Sequence, residues 1–317
     1  MRTHEFITLL KQSQRRYHLL GDENCGLIIA LDVEGRIFSL LDGEVISRVN
    51  PEAFLGFSDS SGYLNPGGDG FWPAPEGSCL GYEYSTAGWR VPPGLCHARW
   101  QVQSQSAQNV CVSAEIDLIN AQGLGLPCRF TRDISIAARP GELQQQVRES
   151  IEYLGKETLS ASQALLAPWS LCQFDCDEHC YLLLPHCPPE DIWDLYTPAS
   201  DCHRRETPEG FQIGLKTDFR FQLGLSPKVN WLEFRNPAKQ FLVHRTAALL
   251  PKNLHYIDIA DRDCTTPPSG RPVRFSAYCD PSGFMEIEAA GGTPELLCPN
   301  ASTSLDITTV CRKLRNR

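Results

Sequence analysis

Glu142-Leu-Gln-Gln-Gln-Val-Arg-Glu-Ser-Ile-Glu-Tyr153 is the stretch on which the fold class turns. Leu143, Val147 and Ile151 lie four apart and would stripe a helix, but the same residues fit alternation. The intervening Glu142, Gln144, Gln146, Arg148, Ser150 and Glu152 are all polar, which a strand with one wet face explains and a helix does not. The segment therefore reads as a strand. On its N-terminal side, apolar runs at 26–31 and 36–41, separated by Glu34-Gly35 and followed by Asp42-Gly43, have the pattern of a β-meander. Similar runs recur at 100–105, 110–119, 129–137, 163–174, 181–184, 219–225, 231–234, 241–249, 255–260, 274–279 and 284–289. A short helix is predicted near residues 3–12. With no fixed-period repeat or low-complexity linker, the expectation is an all-β chain: one antiparallel domain over residues 1–317, with 1–15 as an N-terminal helical extension.

Among 317 residues, 42% are hydrophobic and 21% charged, which is ample for a large core. The 38 acidic against 29 basic side chains give −9 at pH 7. Basic residues are scattered except for Arg312-Lys313-Leu314-Arg315-Asn316-Arg317, so nucleic acid is not an expected partner. No apolar run reaches membrane-spanning length and no export signal is legible, so the expectation is a cytoplasmic protein without membrane contact. The fourteen cysteines then read as free thiols, mostly small apolar fillers.

The densest chemistry lies in Asn65-Pro-Gly-Gly-Asp-Gly-Phe-Trp-Pro-Ala-Pro-Glu-Gly77. Three glycines open unusual backbone angles, the prolines stiffen the chain beyond them, and Phe71 and Trp72 supply aromatic faces. The segment reads as a rigid surface loop in which Asp69 and Glu76 hang acceptors beside an aromatic plate, an arrangement suited to sugar hydroxyls. The alternative is an elaborate corner with Trp72 as a core plug. Trp89 and Arg90 extend the first reading, so the candidate binding set is Asn65, Asp69, Trp72, Glu76, Trp89 and Arg90.

A second candidate is Asp280-Pro-Ser-Gly-Phe-Met-Glu-Ile-Glu-Ala289, where Phe284, Glu286 and Glu288 share one strand face and Met285, Ile287 and Ala289 the other. The pair either faces water or lines a cavity, where desolvation and like charge would make an acid/base. The cluster Cys172, Cys176, Cys180, His186 and Cys187 invites a zinc reading, but its C-x3-C-x3-C spacing lacks paired C-x2-C knuckles, so no metal or other cofactor is expected. Asp258, Asp261 and Asp263 after His255 lack the spacing of a calcium loop. His97, His203 and His244 read as structural. Serine-hydrolase, P-loop and dinucleotide fingerprints are absent from the sequence.

Gly35-Arg36-Ile37, the Asn65-to-Gly77 segment with its GG…W-x-x-P-E pattern, Ala167-Pro168-Trp169 and Met285-Glu286-Ile287-Glu288 together resemble the galactose mutarotase-like superfamily, and in it the uncharacterised bacterial branches with that loop. The resemblance implies a supersandwich of two large antiparallel sheets with a sugar pocket on the concave one. In aldose mutarotases a histidine acts as general acid and a late-strand glutamate as base. Glu286 or Glu288 stands where that glutamate is expected, while the histidine's region falls at Pro168-Trp169-Ser170, which holds no histidine. Two functions are therefore expected: an aldose 1-epimerase-like isomerase acting on a carbohydrate or sugar phosphate, or a non-catalytic sugar sensor or protein-interaction module on the same sandwich. The oligomeric state is not legible.

Overall fold

The computed structural model describes residues 1–59, 62–82 and 91–314. Among them, two ten-stranded antiparallel sheets dominate. In spatial order, the first runs Tyr17–Gly21, Cys25–Ala30, Arg36–Leu41, Asp69–Ala74, Ala167–Asp175, Phe284–Ala290, Phe275–Asp280, Phe221–Leu225 and Ile192–Asp194, with Glu44–Val45 beside Arg36–Leu41. The second runs Arg204–Thr207, Gly210–Gly214, Tyr181–Leu184, Trp231–Asn236, Phe241–Ala247, Ser302–Lys313, Glu142–Tyr153, Gly125–Arg139, Asn109–Ile119 and Gln101–Gln105. Glu142–Tyr153 is a strand, paired on one side with Gly125–Arg139 and on the other with Ser302–Lys313. Its buried positions are the odd-numbered ones, as alternation requires.

Both sheets contribute to one core. Phe71 of the first meets Phe130 of the second at 5.0 Å between ring centroids, and Ile37, Cys172, Ile287, Ile134, Ile151 and Ile307 are buried in the same cluster. The helix Thr3–Gln12 covers the far face of the first sheet at its N-terminal end. There Phe6 packs edge-on against Phe38 and Phe54, at 4.8 and 5.2 Å, and each such ring stabilises the fold by about 1.5–3 kcal/mol through burial. The face beyond that helix is the one on which the site is built.

The Asn65-to-Gly77 segment, expected to be a loop throughout, is half turn and half strand. Gly67 and Gly68 have φ of +83° and +71°, and a Cβ on Gly67 would stand 2.1 Å from the Arg48 carbonyl oxygen, so the turn requires glycine there. Asp69–Ala74 then enters the sheet as a strand despite Pro73. Past the Ile37 to Asp69 pair no further partner joins it to Arg36–Leu41, and Pro73 lies opposite Pro168, a position from which no cross-strand N–H is needed. The missing donor therefore removes no ladder bond.

Candidate active site on the far face of the first sheet

Residues directly opposite in neighbouring strands share a face, and the register assembles the site strand by strand. Trp72 lies opposite Trp169, Trp169 opposite Ala290, Gln173 opposite Glu286, Glu286 opposite Tyr278, Glu288 opposite Ser276, and Tyr278 opposite Gln222. All therefore sit on the face turned away from the second sheet. Met285, Ile287 and Ala289 fill the shared core behind them. Both glutamates are buried, Glu286 at 4% and Glu288 at 0% exposure, so neither faces bulk water.

Glu288 accepts hydrogen bonds from Trp169 Nε1 at 3.0 Å and from Gln222 Nε2 at 3.1 Å to each carboxylate oxygen. Gln222 Nε2 also donates to Ser276 Oγ at 3.0 Å. Glu286 accepts from Gln173 Nε2 at 2.5 Å and hydrogen-bonds Glu288 itself. Burial raises the Glu286 pKa, opposed by the charge of Arg36 and by the bonds from Glu288 and Gln173. Glu288 is driven well above the ordinary carboxylate value, first by burial and then by the charge of Glu286. Two carboxyls so placed resist ionising together.

Around this pair, Trp72 stands perpendicular to Trp169 with ring centroids 6.2 Å apart, and Tyr63 closes on Trp72 at the same 6.2 Å. Arg36 lies beside Trp72, pressed over Gly70, where a Cβ would sit 2.6 Å from its guanidinium. Tyr278 donates to Asp280 Oδ2 at 2.7 Å, and its phenol is held neutral by burial and by that bond. Tyr196 meets Tyr278 at 6.3 Å, and burial together with the charges of Glu76 and Asp261 raises its pKa.

The sequence candidates separate. Trp72, Glu286 and Glu288 come together, and Glu76 is close enough for its charge to act on Glu288. Asp69 turns the other way, to the interior between the sheets, where it meets Arg245 at 3.2 Å, Arg132 at 3.5 Å and Ser170 Oγ at 3.0 Å. Strand alternation is the reason, since Asp69 and Trp72 differ by an odd number of residues. Arg132 also binds Glu149 at 2.6 Å, which completes a buried cluster of two arginines and two carboxylates. Asn65 caps its own turn by accepting from Gly67 N at 3.1 Å, and its carbonyl oxygen accepts from Asn50. Trp89 and Arg90 lie outside the described residues. Gln173, Gln222, Ser276, Tyr278 and Arg36 are site residues that sequence reasoning passed over; the signal for the two glutamines was a polar residue inside an otherwise apolar strand.

Elsewhere, Asp258 binds Arg262 and Gly270 N, each at 2.8 Å, as a loop anchor. His203 stacks on Phe221 and His244 contacts Glu233. Among the described residues no three His, Cys, Asp or Glu side chains converge as metal ligands. No helix among them is long and apolar enough to cross a membrane. A broad depression of about 790 Å³ lies on the outer face of the second sheet, lined by Ser135, Gln146, Arg148, Thr246, Asp306 and Thr308 among others. It is remote from the glutamates and is built of solvated strand faces.

Two large antiparallel sheets packed on one core form a galactose mutarotase-like fold, the architecture that the resemblance implied. The Slr1438 protein from Synechocystis sp. PCC 6803 superposes with a TM-score of 0.60 at 15% identity, over 94% of this chain and 96% of that one. A galactose mutarotase related enzyme from Lactobacillus acidophilus gives 0.54 at 11% identity, over 95% and 100%. A galactose mutarotase-like protein from Lactobacillus casei gives 0.53 at 12%, over 94% and 100%. At these identities the likeness establishes the fold. No curated protein matches the chain. Residues 4–193 match the family of unknown function DUF6786, and the chain belongs to that family.

Proposed function

We propose that this protein binds an aldose on the far face of its first sheet and interconverts its anomers, with Glu286 as general base and Glu288 as general acid. The observation that carries the reading is the pair itself: two buried carboxyls on one strand, hydrogen-bonded to each other, both with raised pKa values. In ring opening, the anomeric hydroxyl gives its proton to Glu286 while Glu288 gives its own to the ring oxygen. The bond from C1 to the ring oxygen breaks and C1 becomes a carbonyl carbon. Rotation about C1–C2 and the reverse transfers close the ring on the other face and restore both protons.

The assignment of roles rests on the fields around each group. Glu286 lies in the field of Arg36, so it is the easier of the two to ionise. Glu288 holds its proton more tightly, and the N–H groups of Trp169 and Gln222 stand ready to stabilise the charge left when that proton departs. Trp169 occupies the region where a mutarotase histidine was expected, and an indole N–H serves as a donor only. The second glutamate therefore takes the acid's role. Trp72 and Trp169 supply the apolar wall against which a sugar ring rests.

The test is NMR saturation transfer between the α and β anomers of D-glucose and of D-galactose. Wild-type protein should accelerate the exchange, and Glu286→Gln or Glu288→Gln should each reduce it by roughly 10²–10⁴-fold while sugar still binds. Binding by the wild type without faster exchange would replace this reading with a non-catalytic sugar sensor.

A further inference from the structure

We infer that the ligand of this face is a neutral, unphosphorylated sugar, and that Trp72, Gln173 and Gln222 select its hydroxyls; the inference rests on the reading of the face as a sugar site. Three polar atoms here are buried and lack a partner among the described residues: Trp72 Nε1, Gln173 Oε1 and Gln222 Oε1. Their residues are 4%, 2% and 2% exposed, and the register puts all three on the face of Glu286 and Glu288. Buried polar atoms are ordinarily satisfied, so three orphans on one face mark positions at which a ligand completes the bonding.

Their chemistry specifies the ligand. The amide nitrogen of each glutamine is held by a glutamate, which leaves each amide oxygen as the free acceptor. Two acceptors and one donor suit hydroxyls, which both give and accept. An ionised phosphate accepts only, so it has nothing to offer Gln173 Oε1 or Gln222 Oε1.

The charges point the same way. Glu286 and Glu288 lie in the site, and the fields of Glu76 and Asp280 reach them. Arg36, the buried cation of the site, is already engaged on every nitrogen. Its Nε and Nη2 bind Glu34 at 3.0 and 2.8 Å, Nη2 also binds the Tyr63 hydroxyl, and Nη1 binds the Gly67 carbonyl. Arg220 is exposed and lies over the Tyr196 ring at 4.6 Å, at the rim. Arg48 lies over the Phe284 ring at 4.7 Å but gives its Nη1 to Asp175 at 2.7 Å, so among the described residues a phosphate would enter a field in which the carboxylates predominate.

The experiment is calorimetric titration of wild type, Trp72→Phe and Arg220→Ala with D-glucose, D-galactose and their 6-phosphates. Free sugars should bind at least tenfold more tightly than the phosphates to the wild type, and Arg220→Ala should leave that preference in place. Trp72→Phe keeps a benzene ring but removes the pyrrole ring with its N–H and leaves a small cavity, so free-sugar affinity should fall at least roughly three- to tenfold and the melting temperature by a few degrees. Equal or tighter binding of the phosphates by the wild type overturns the inference without any variant, as does unchanged affinity in Trp72→Phe. Anomer exchange accelerated for a 6-phosphate but not for the free sugar would overturn it while leaving the acid–base reading intact. Trp72-dependent binding of free sugar without faster exchange would support it and remove the acid–base reading.

Discussion

The first sheet carries buried carboxylates on both of its faces, and the two sets are treated in opposite ways. Between the sheets, Asp69 and Glu149 meet Arg132 and Arg245, with Ser170 bridging and every contact at 3.5 Å or less. Two guanidiniums face two carboxyls in a sealed interior, where burial and the charge of Asp69 raise the Glu149 pKa against the pull of Arg132. On the far face, Glu286 and Glu288 touch glutamines, a tryptophan and each other, while Arg36 acts on Glu286 through its field. In both sets burial raises a carboxyl's pKa, that of Glu149 and that of Glu286 alike to about 7; only in the interior is the raised carboxyl touched by a guanidinium. Burial alone does not separate structure from chemistry; the company of each carboxylate does.

The largest effect is expected where compensation is complete. Arg132→Ala leaves Glu149 and Asp69 short of a partner and should cost roughly 3–5 kcal/mol in denaturant unfolding. Glu288→Gln removes a like-charge conflict, so its unfolding free energy at pH 8 should fall within about 1 kcal/mol of wild type or above it. A loss at Glu288→Gln as large as that at Arg132→Ala would erase the distinction between the faces.

A middle-sized effect is expected at Gly70→Ala. Its Cβ would meet the Arg36 guanidinium at 2.6 Å, and displacing that side chain should cost about 1–3 kcal/mol and, by moving Arg36 off Glu286, shift the pH optimum of anomer exchange upward. An unchanged optimum would mean that Arg36 does not set the proton affinity of Glu286.

The smallest effect is a slope. Glu286 and Glu288 hold protons more tightly folded than unfolded, so folding takes up protons across the window between the ordinary carboxylate pKa near 4.5 and the raised values. Their contribution is complete below that window and is lost as pH rises through it, by at most about 1.4 kcal/mol per pH unit for each group. Glu288→Gln should flatten the fall in melting temperature between pH 5 and pH 8; an unaltered slope would place the proton elsewhere.

Much of this was legible where local pattern and tertiary role agree. The helix Thr3–Gln12 and the strand Glu142–Tyr153 follow from periodicity, and the shared face of Glu286 and Glu288 follows from alternation. Ser302–Lys313, which pairs with Glu142–Tyr153 along its length, went unread because its buried face runs Thr303, Leu305, Ile307, Thr309 and Cys311, with threonine at two of the five positions. Asp69–Ala74 was hidden by glycine and proline, whose cost depends on which neighbours the strand has. The partners of the glutamates were illegible for a different reason. Gln173, Gln222 and Arg36 reach Glu286 and Glu288 through sheet order, which brings distant strands side by side. Gln145 and Glu149 occupy the buried face of their own strand, a break in its apolar pattern that pointed to the intersheet cluster.

The central claim is that the far-face pair shares a proton at neutral pH, and infrared difference titration of the carboxyl stretch from pH 4 to 9 addresses it directly, with Glu149→Gln removing the intersheet contribution. The account predicts a protonated buried carboxyl at pH 7 that survives Glu149→Gln and vanishes in Glu288→Gln. A spectrum with every carboxyl ionised by pH 6, or a band untouched by Glu288→Gln, would contradict it.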